Sequence, residues 1–217
     1  MADQIMRRDS EEDMDSQKAF SLVELLVVIS IVAFLVVLLF PAYRTFMERA
    51  QSVRCVGNLK QIGTGIGLYA AENDGHYPNS AAPLWFFAIE PYMGLESYAG
   101  KYDSPKVFRC PSAKPADSGI WGVTSYGINA CVSRGQYDAA KLPYPRTVSL
   151  GKPSQRILVG DAFCQVDYVI WYSQMATILS YRHSGRANIL WCDYSVSSVT
   201  NSPPRYMGRW DGMEDPQ

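Results

Sequence analysis

Three side chains in the C-terminal half have the types that could do chemistry together: His183, Asp161 and Asp193. They lie beside short β-branched runs, so the ends of predicted strands could place them near one another. An imidazole with two carboxylates can hold a divalent cation or move a proton. The alternative is that His183 and Asp193 hydrogen-bond to loop backbone and hold a hairpin. We favour that structural role and predict neither a catalytic nor a metal site.

A second group of oxygen ligands lies in the segment NDG, where Asn73 and Asp74 could join neighbouring carbonyl groups around calcium. The same three residues form an ordinary turn, which is the role we expect. Calcium is therefore the one cofactor considered, and none is assigned. No serine or cysteine has the spacing of a catalytic nucleophile, so the sequence does not predict an enzyme.

The cysteines form no CxxC pair, and the chain has only 2 histidines. A zinc site of familiar spacing is therefore absent, and we expect no structural zinc. In an exported domain one or two disulfides could form, and the sequence leaves their pairing open. The 5 cysteines are Cys55, Cys110, Cys131, Cys164 and Cys192.

Two features argue against binding of nucleic acids or nucleotides. The net charge of −1 gives no excess of basic side chains for a phosphate backbone. The segment GTGIG, residues 63–67, is glycine-rich, but no predicted strand precedes it and no GK[ST] follows. We expect these glycines to let a helix pack closely against the rest of the protein.

One carboxylate, Glu24, lies inside a segment that is otherwise suited to a membrane. From Phe20 to Phe40 only Ser21, Glu24 and Ser30 are polar, and a helix of this length spans about 31 Å. An ionisable group there is costly and usually has a partner or a role. Glu24 could lie at the headgroup level, favoured by the helix dipole. It could instead pair with the free amine of a neighbouring chain cut before Phe20, and so fix the register of helix packing.

The segment FSLVELLVVISIVAFLVVLLFPAY resembles the N-terminus of type IV prepilins and type II secretion pseudopilins. The resemblance implies cleavage between Ala19 and Phe20 and N-methylation of Phe20. It gives Glu24, fifth in the mature chain, and Pro41, twenty-second, roles in assembly. Ala19 departs from the family, which has glycine before the cut, and this puts efficient cleavage in question.

The head of the chain resembles prepilin-like proteins with an H-x9-DG motif. The segment RHSGRANILWCDYSV keeps the spacing of His183 and Asp193, but Tyr194 replaces the glycine. Tyrosine is costly at positive φ, so we expect a turn of another type or a longer turn than an Asp-Gly hairpin.

The sequence predicts a leader at 1–19, a transmembrane helix at 20–40, its amphipathic continuation at 41–71, a periplasmic head at 72–200 and a tail at 201–217. Pro41 should kink or locally melt the helix. Apolar residues continue the helical spacing beyond it: Phe46, Ala50, Val53, Val56, Leu59, Ile62, Ile66 and Tyr69. The best strand candidates are ILVGDA, YVIWY and NILWC, and 84–93 could form a short helix. The predicted fold is α+β, a long helix packed on a small antiparallel sheet as in pilins.

The resemblance implies a structural subunit of a type II secretion pseudopilus or type IV pilus-like filament. Its partners would be a prepilin peptidase, other pilin subunits, an inner-membrane assembly platform and the lipid bilayer. The protein would cross the bacterial inner membrane once, with its head in the periplasm or on the cell surface. The alternatives are a membrane-anchored periplasmic enzyme or binding module that uses this N-terminus only for export, and an uncut signal anchor.

Overall fold

The structure is a computed structural model, and it describes residues 21–79, 84–95, 105–114, 124–129, 132, 146–147, 150–163, 169–170 and 179–200. The predicted leader and tail, with Ala19, Phe20, Cys131 and Cys164, lie outside these residues. By its internal contacts the chain divides into a first unit, Met1–Thr45, and a second unit, Phe46–Gln217. The two units are described separately below.

Helix α1 extends from Leu22 to Glu72. Its first turn is a capping box, because Ser21 Oγ accepts the backbone N–H of Val23 at 3.3 Å and Glu24 Oε2 accepts the N–H of Ser21 at 3.0 Å. The residues on both sides of Pro41 are helical, so the predicted local melting does not occur. The helix ends at a turn that contains Asp74 and Gly75 at positive φ.

In the second unit, α1 buries one face, formed by Cys55, Leu59, Ile62, Gly63, Gly65, Ile66 and Ala70. The expected role of the glycines in close packing is confirmed at two positions. A Cβ at Gly63 would lie 3.0 Å from Leu190 Cδ1, and one at Gly65 would lie 2.7 Å from Met93 Cγ. The apolar stripe predicted along α1 was expected to be covered by the head, but two of its residues, Phe46 and Val53, are exposed. Val53 precedes Leu59 by six residues, which places it about 240° around the helix from that core residue.

The sheet has five strands in the order β3-β1-β2-β4-β5. The strands are β1 Tyr126–Asn129, β2 Ile157–Asp161, β3 Val169–Ile170, β4 Arg186–Trp191 and β5 Val196–Thr200. All pairs are antiparallel except β1 with β3, so the short edge strand makes the sheet mixed rather than purely antiparallel. The predicted α+β fold, a long N-terminal helix with a small and mainly antiparallel sheet, is confirmed.

The core of the second unit lies between the buried face of α1, the sheet and a short aromatic helix, α2 Trp85–Ile89. A 3-10 helix at Pro91–Met93 follows α2, which confirms the short helix predicted at 84–93. Further 3-10 helices lie at Lys106–Phe108 and Pro153–Gln155. Strands β2 and β4 bury nearly every residue, because α1 and α2 supply apolar side chains against the sheet.

The turn between β4 and β5 is longer than an Asp-Gly hairpin, as predicted, but the backbone of Tyr194 differs from the expectation. Trp191 N–H donates to Ser195 O and Tyr194 N–H donates to Trp191 O, both at 2.9 Å. This is a three-residue connection, longer than a two-residue hairpin, in which the third position is usually glycine at positive φ. Tyr194 itself takes that conformation, with φ of 65°. Its ring lies over Gly67, where an added Cβ would be 3.5 Å from Tyr194 Cζ, and this packing accompanies the strained backbone.

Candidate functional site

The N-terminal part of α1 carries two of the predicted assembly residues, Glu24 and Pro41. The large apolar residues from Leu22 to Phe40 are all about half exposed or more. Among the described residues α1 is the one helix that is long and apolar enough to cross a membrane. An apolar surface of this size needs lipid or other helices to cover it.

Glu24 occupies the third helical position, where its carboxylate accepts the N–H of Ser21. This is the first explanation considered for Glu24, a carboxylate favoured at the N-terminus of a helix. The second explanation, pairing with the amine of a neighbouring chain, stays a prediction. A carboxylate has lone pairs for such a further donor. Phe20, the residue that would supply the amine, lies outside the described part of the chain.

Pro41 lies within the helix, where its missing N–H leaves a carbonyl group one turn earlier without its usual donor. Its own carbonyl oxygen accepts a hydrogen bond from Thr45 Oγ1 at 3.2 Å. The Arg44 guanidinium lies 4.5 Å from the ring centroid of Phe40. A cation, an aromatic ring and a proline therefore meet at the end of the apolar segment.

A second site lies inside the second unit, where four polar side chains meet. Cys55, Cys110, Asp161 and His183 are all buried, and one ligand atom from each lies within 4.8 Å of the others. Each comes from a different segment: α1, the residues after the 3-10 helix Lys106–Phe108, the end of β2 and the loop before β4. The fold thus brings together residues that are far apart in sequence.

The contacts inside this cluster converge on Asp161 and His183. Asp161 Oδ1 accepts the thiol of Cys55 at 3.2 Å, and Oδ2 lies 3.3 Å from His183 Nε2. The same Nε2 atom lies 3.2 Å from Cys110 Sγ. The backbone N–H of Asn188 donates to Asp161 Oδ2 at 2.7 Å.

A surrounding layer of groups orients the cluster. Tyr126 donates its phenolic O–H to Cys55 Sγ at 3.3 Å. The backbone N–H of Cys110 donates to Ser125 Oγ. Backbone hydrogen bonds in both directions between His183 and Arg186, each of 3.0 Å, fix the loop that carries the imidazole.

The cluster changes the acidity of its members. The neighbouring Cys55 thiol lowers the pKa of Cys110 to about 6, against the effect of burial, and His183 acts in the same direction. Contact with Cys110, together with burial and the charge of Asp161, raises the pKa of Cys55 far above its usual value. Burial by itself lowers the pKa of His183, but hydrogen bonds with Asp161 and Cys110 outweigh it and raise the pKa to about 9. These directions favour a thiolate at Cys110 beside a protonated imidazole.

The three residues singled out in the sequence are brought together only in part. Asp161 and His183 are in contact, as considered. Asp193 is exposed in the turn after β4, whereas His183 precedes that strand. The Asp193 carboxylate accepts the N–H of Ser195 at 2.9 Å and its hydroxyl at 2.6 Å, so it holds the hairpin as the structural alternative predicted.

The other residues considered in the sequence are the calcium candidates Asn73 and Asp74 and the cysteines. Asn73 donates to Tyr69 O at 2.8 Å, and Asp74 is exposed at a positive φ of 52°, so both belong to the turn after α1. Cys192 is a free and buried thiol outside the cluster, as Cys55 and Cys110 are free within it. Spacing rules missed the two cysteines of the cluster, because neither belongs to a short motif with another ligand.

Comparison with known proteins bears on the first of these sites. The model of the prokaryotic N-terminal methylation motif matches residues 14–40. Fimbrial protein Q of Moraxella bovis is 41% identical over 53 residues, which cover 24% of this chain and 34% of that protein. The type IV major alpha-pilin of the same organism is 39% identical over 53 residues, 24% of this chain and 33% of that pilin. No solved structure is significantly similar to the chain.

The chain therefore spans about a third of the length of the curated relatives it matches, and the similarity covers 24% of its own residues. The predicted resemblance is confirmed there, in the segment that holds Glu24 and the exposed apolar helix. For the buried cluster, the resemblance to H-x9-DG proteins stays a prediction. In its N-terminal segment the chain is prepilin-like, with a prokaryotic N-terminal methylation motif at residues 14–40.

Proposed function

We propose that the protein is a pilin- or pseudopilin-type subunit that assembles into a filament through the first half of α1. One observation carries the proposal: the methylation motif coincides with an apolar helix segment that exposes its side chains all around. A soluble protein gains nothing from such a surface, whereas lipid and then neighbouring helices can cover it in turn. The two Moraxella proteins that are similar to this chain over 53 residues are named as fimbrial and pilin proteins.

Maturation in this proposal is cleavage by a prepilin peptidase between Ala19 and Phe20, followed by methylation of the new amine. The product would cross the inner membrane once, with its second unit on the periplasmic side. An inner-membrane assembly platform would then move it from the bilayer into a pilus or a type II secretion pseudopilus. Nucleic acids are not among the proposed partners.

Glu24 acts in assembly by offering its carboxylate to the amine of Phe20 on an adjacent subunit. The capping box supports this pairing, because the N–H of Ser21 already holds the Glu24 carboxylate at the first turn. That hydrogen bond limits the rotamers of Glu24 and presents its remaining lone pairs at the helix end. Packing of the apolar spans supplies most of the association, and the ion pair fixes their register.

The test compares Glu24→Ala and Glu24→Gln with the unaltered chain in cells that carry the native secretion or pilus apparatus. We expect both variants to be cleaved as efficiently as the unaltered chain, yet to be depleted at least ~10-fold from the sheared filament fraction. Ser30→Ala is the matched control, because Ser30 is the other polar side chain deep in the span and only donates to Leu26 O of its own helix.

Assembly of Glu24→Ala at the level of the unaltered chain would refute the pairing. A cleaved protein that stays monomeric under every condition would instead favour the membrane-anchored module. Cross-linking between engineered cysteines at neighbouring span positions distinguishes these results, since only a filament brings identical spans into contact.

A further inference from the structure

We propose that Cys55, Cys110, Asp161 and His183 form a structural zinc site inside the second unit. Two thiolates, one imidazole and one carboxylate are the ligand types that tetrahedral zinc accepts. Four protein ligands leave no open position, as in sites that stabilise a fold rather than catalyse a reaction. This proposal is independent of filament assembly.

The distances between the donor atoms fit such a site. With zinc bonds of about 2.0 to 2.3 Å, tetrahedral ligands lie about 3.3 to 3.8 Å apart. The separations are 3.2 Å from Cys110 Sγ to His183 Nε2 and 3.3 Å from that atom to Asp161 Oδ2. Every pair of donor atoms lies within 4.8 Å. Coordination therefore needs movements of about 1 Å at most.

The direction of the contacts distinguishes a metal site from a nucleophile triad. In a triad the base uses one ring nitrogen for the nucleophile and the other for the carboxylate. Here Cys110 Sγ and Asp161 Oδ2 both approach the same atom, Nε2 of His183. Four donor atoms grouped within 4.8 Å of one another are what a shared cation requires, and all four residues are buried.

The groups around the cluster already hold the donors in place. Asn188 N–H fixes the Asp161 carboxylate at 2.7 Å, and Tyr126 O–H donates to Cys55 Sγ at 3.3 Å. On the far side of the imidazole, His183 Nδ1 faces Ser112 Oγ at 3.5 Å. Such outer hydrogen bonds orient metal ligands in known sites. Bound zinc would hold both cysteines as thiolates and would offset the cost of burying their charges beside the Asp161 carboxylate.

Zinc in this position would cross-link four segments that are far apart in sequence. Cys55 lies on α1, Asp161 ends β2, and the other two ligands lie in loops. The cation would tie the helix to the end of the central strand β2, which gives this buried polar cluster a structural role.

The first experiment measures metal content in the full chain, purified in detergent from cells grown without added metal. Native mass spectrometry should find one zinc ion per chain. Cys55→Ser and Cys110→Ser should lose it, whereas Cys192→Ser should keep it. Cys192 is the matched control, since it is a buried free thiol of the same unit outside the cluster.

A second readout does not depend on the folding of variants. Cobalt(II) added to the unaltered, metal-stripped chain should give thiolate charge-transfer bands and the intense visible bands of a tetrahedral site. Chelation should lower the thermal midpoint by about 5 °C or more, and added zinc should restore it. The midpoint of Cys110→Ser should not respond to either treatment.

Three results would overturn the proposal. The first is a chain from its own membranes with a Cys55–Cys110 disulfide, shown by a peptide pair that separates on reduction. The second is a reduced chain that takes up no zinc and gives octahedral cobalt spectra only. The third is equal loss of zinc in Cys192→Ser, which would place the metal elsewhere.

Discussion

The carboxylate of Asp161 lies 3.3 Å from the imidazole of His183, with both side chains buried at the junction of β2 and the loop before β4. Asp161 also receives the thiol of Cys55 and the N–H of Asn188. One side chain therefore satisfies three buried groups. Its removal would leave the N–H of Asn188 without its acceptor and would take one partner each from Cys55 and His183.

Asp161→Ala should destabilise the protein by about 3 kcal/mol, because unpaired buried polar and charged groups are costly. Urea unfolding followed by tryptophan fluorescence measures the change. Asp193→Ala serves as the control, since that exposed carboxylate holds only the β4–β5 turn and its loss should cost about 1 kcal/mol or less. Equal losses in the two variants would contradict a central role for Asp161.

Alanine substitution should change the stability of the protein in opposite directions at different glycines of α1. Gly63→Ala and Gly65→Ala should destabilise the protein by about 1 to 3 kcal/mol, because the new methyl groups meet Leu190 and Met93. Gly57→Ala should be neutral or stabilise by up to about 1 kcal/mol, since no atom lies within 4 Å of its Cβ and alanine favours the helix. Thermal unfolding of the three variants, compared with the unaltered chain, checks the contrast. A gain in stability in all three variants would mean that α1 packs less closely against Leu190 and Met93 than these distances indicate.

The buried thiol of Cys192 should make the stability of the protein depend on pH in the alkaline range. Burial raises its pKa to about 12 from the ordinary thiol value of 9.0. The folded protein thus keeps a proton that the unfolded chain releases. The stabilisation is complete below about pH 9 and is lost as the pH rises to about 12. The stability of Cys192→Ala, measured by urea unfolding across this range, should fall less steeply than that of the unaltered chain. Equal slopes of stability against pH in the two proteins would show that burial does not raise the pKa of Cys192.

The sequence was sufficient for the elements that rest on local pattern. The apolar run from Phe20 predicted the start of α1 to within two residues, and the β-branched runs became β2 and β4. The convergence of Cys55 with Cys110 depends on how the chain folds back on itself, so neither spacing nor composition contained it. The positive φ of Tyr194 was missed for a related reason, because packing over Gly67 outweighs the local preference.

The most direct test of the account is the mass of the mature N-terminus. Intact-mass and N-terminal peptide analysis of the protein from its own membranes should find methylated Phe20 as the first residue. Ala19→Gly provides the control, since it restores the usual residue before the cut and should be processed at least as completely. If the leader stays attached in every molecule, and Ala19→Gly also keeps it, the chain is an uncut membrane anchor and the filament proposal is wrong.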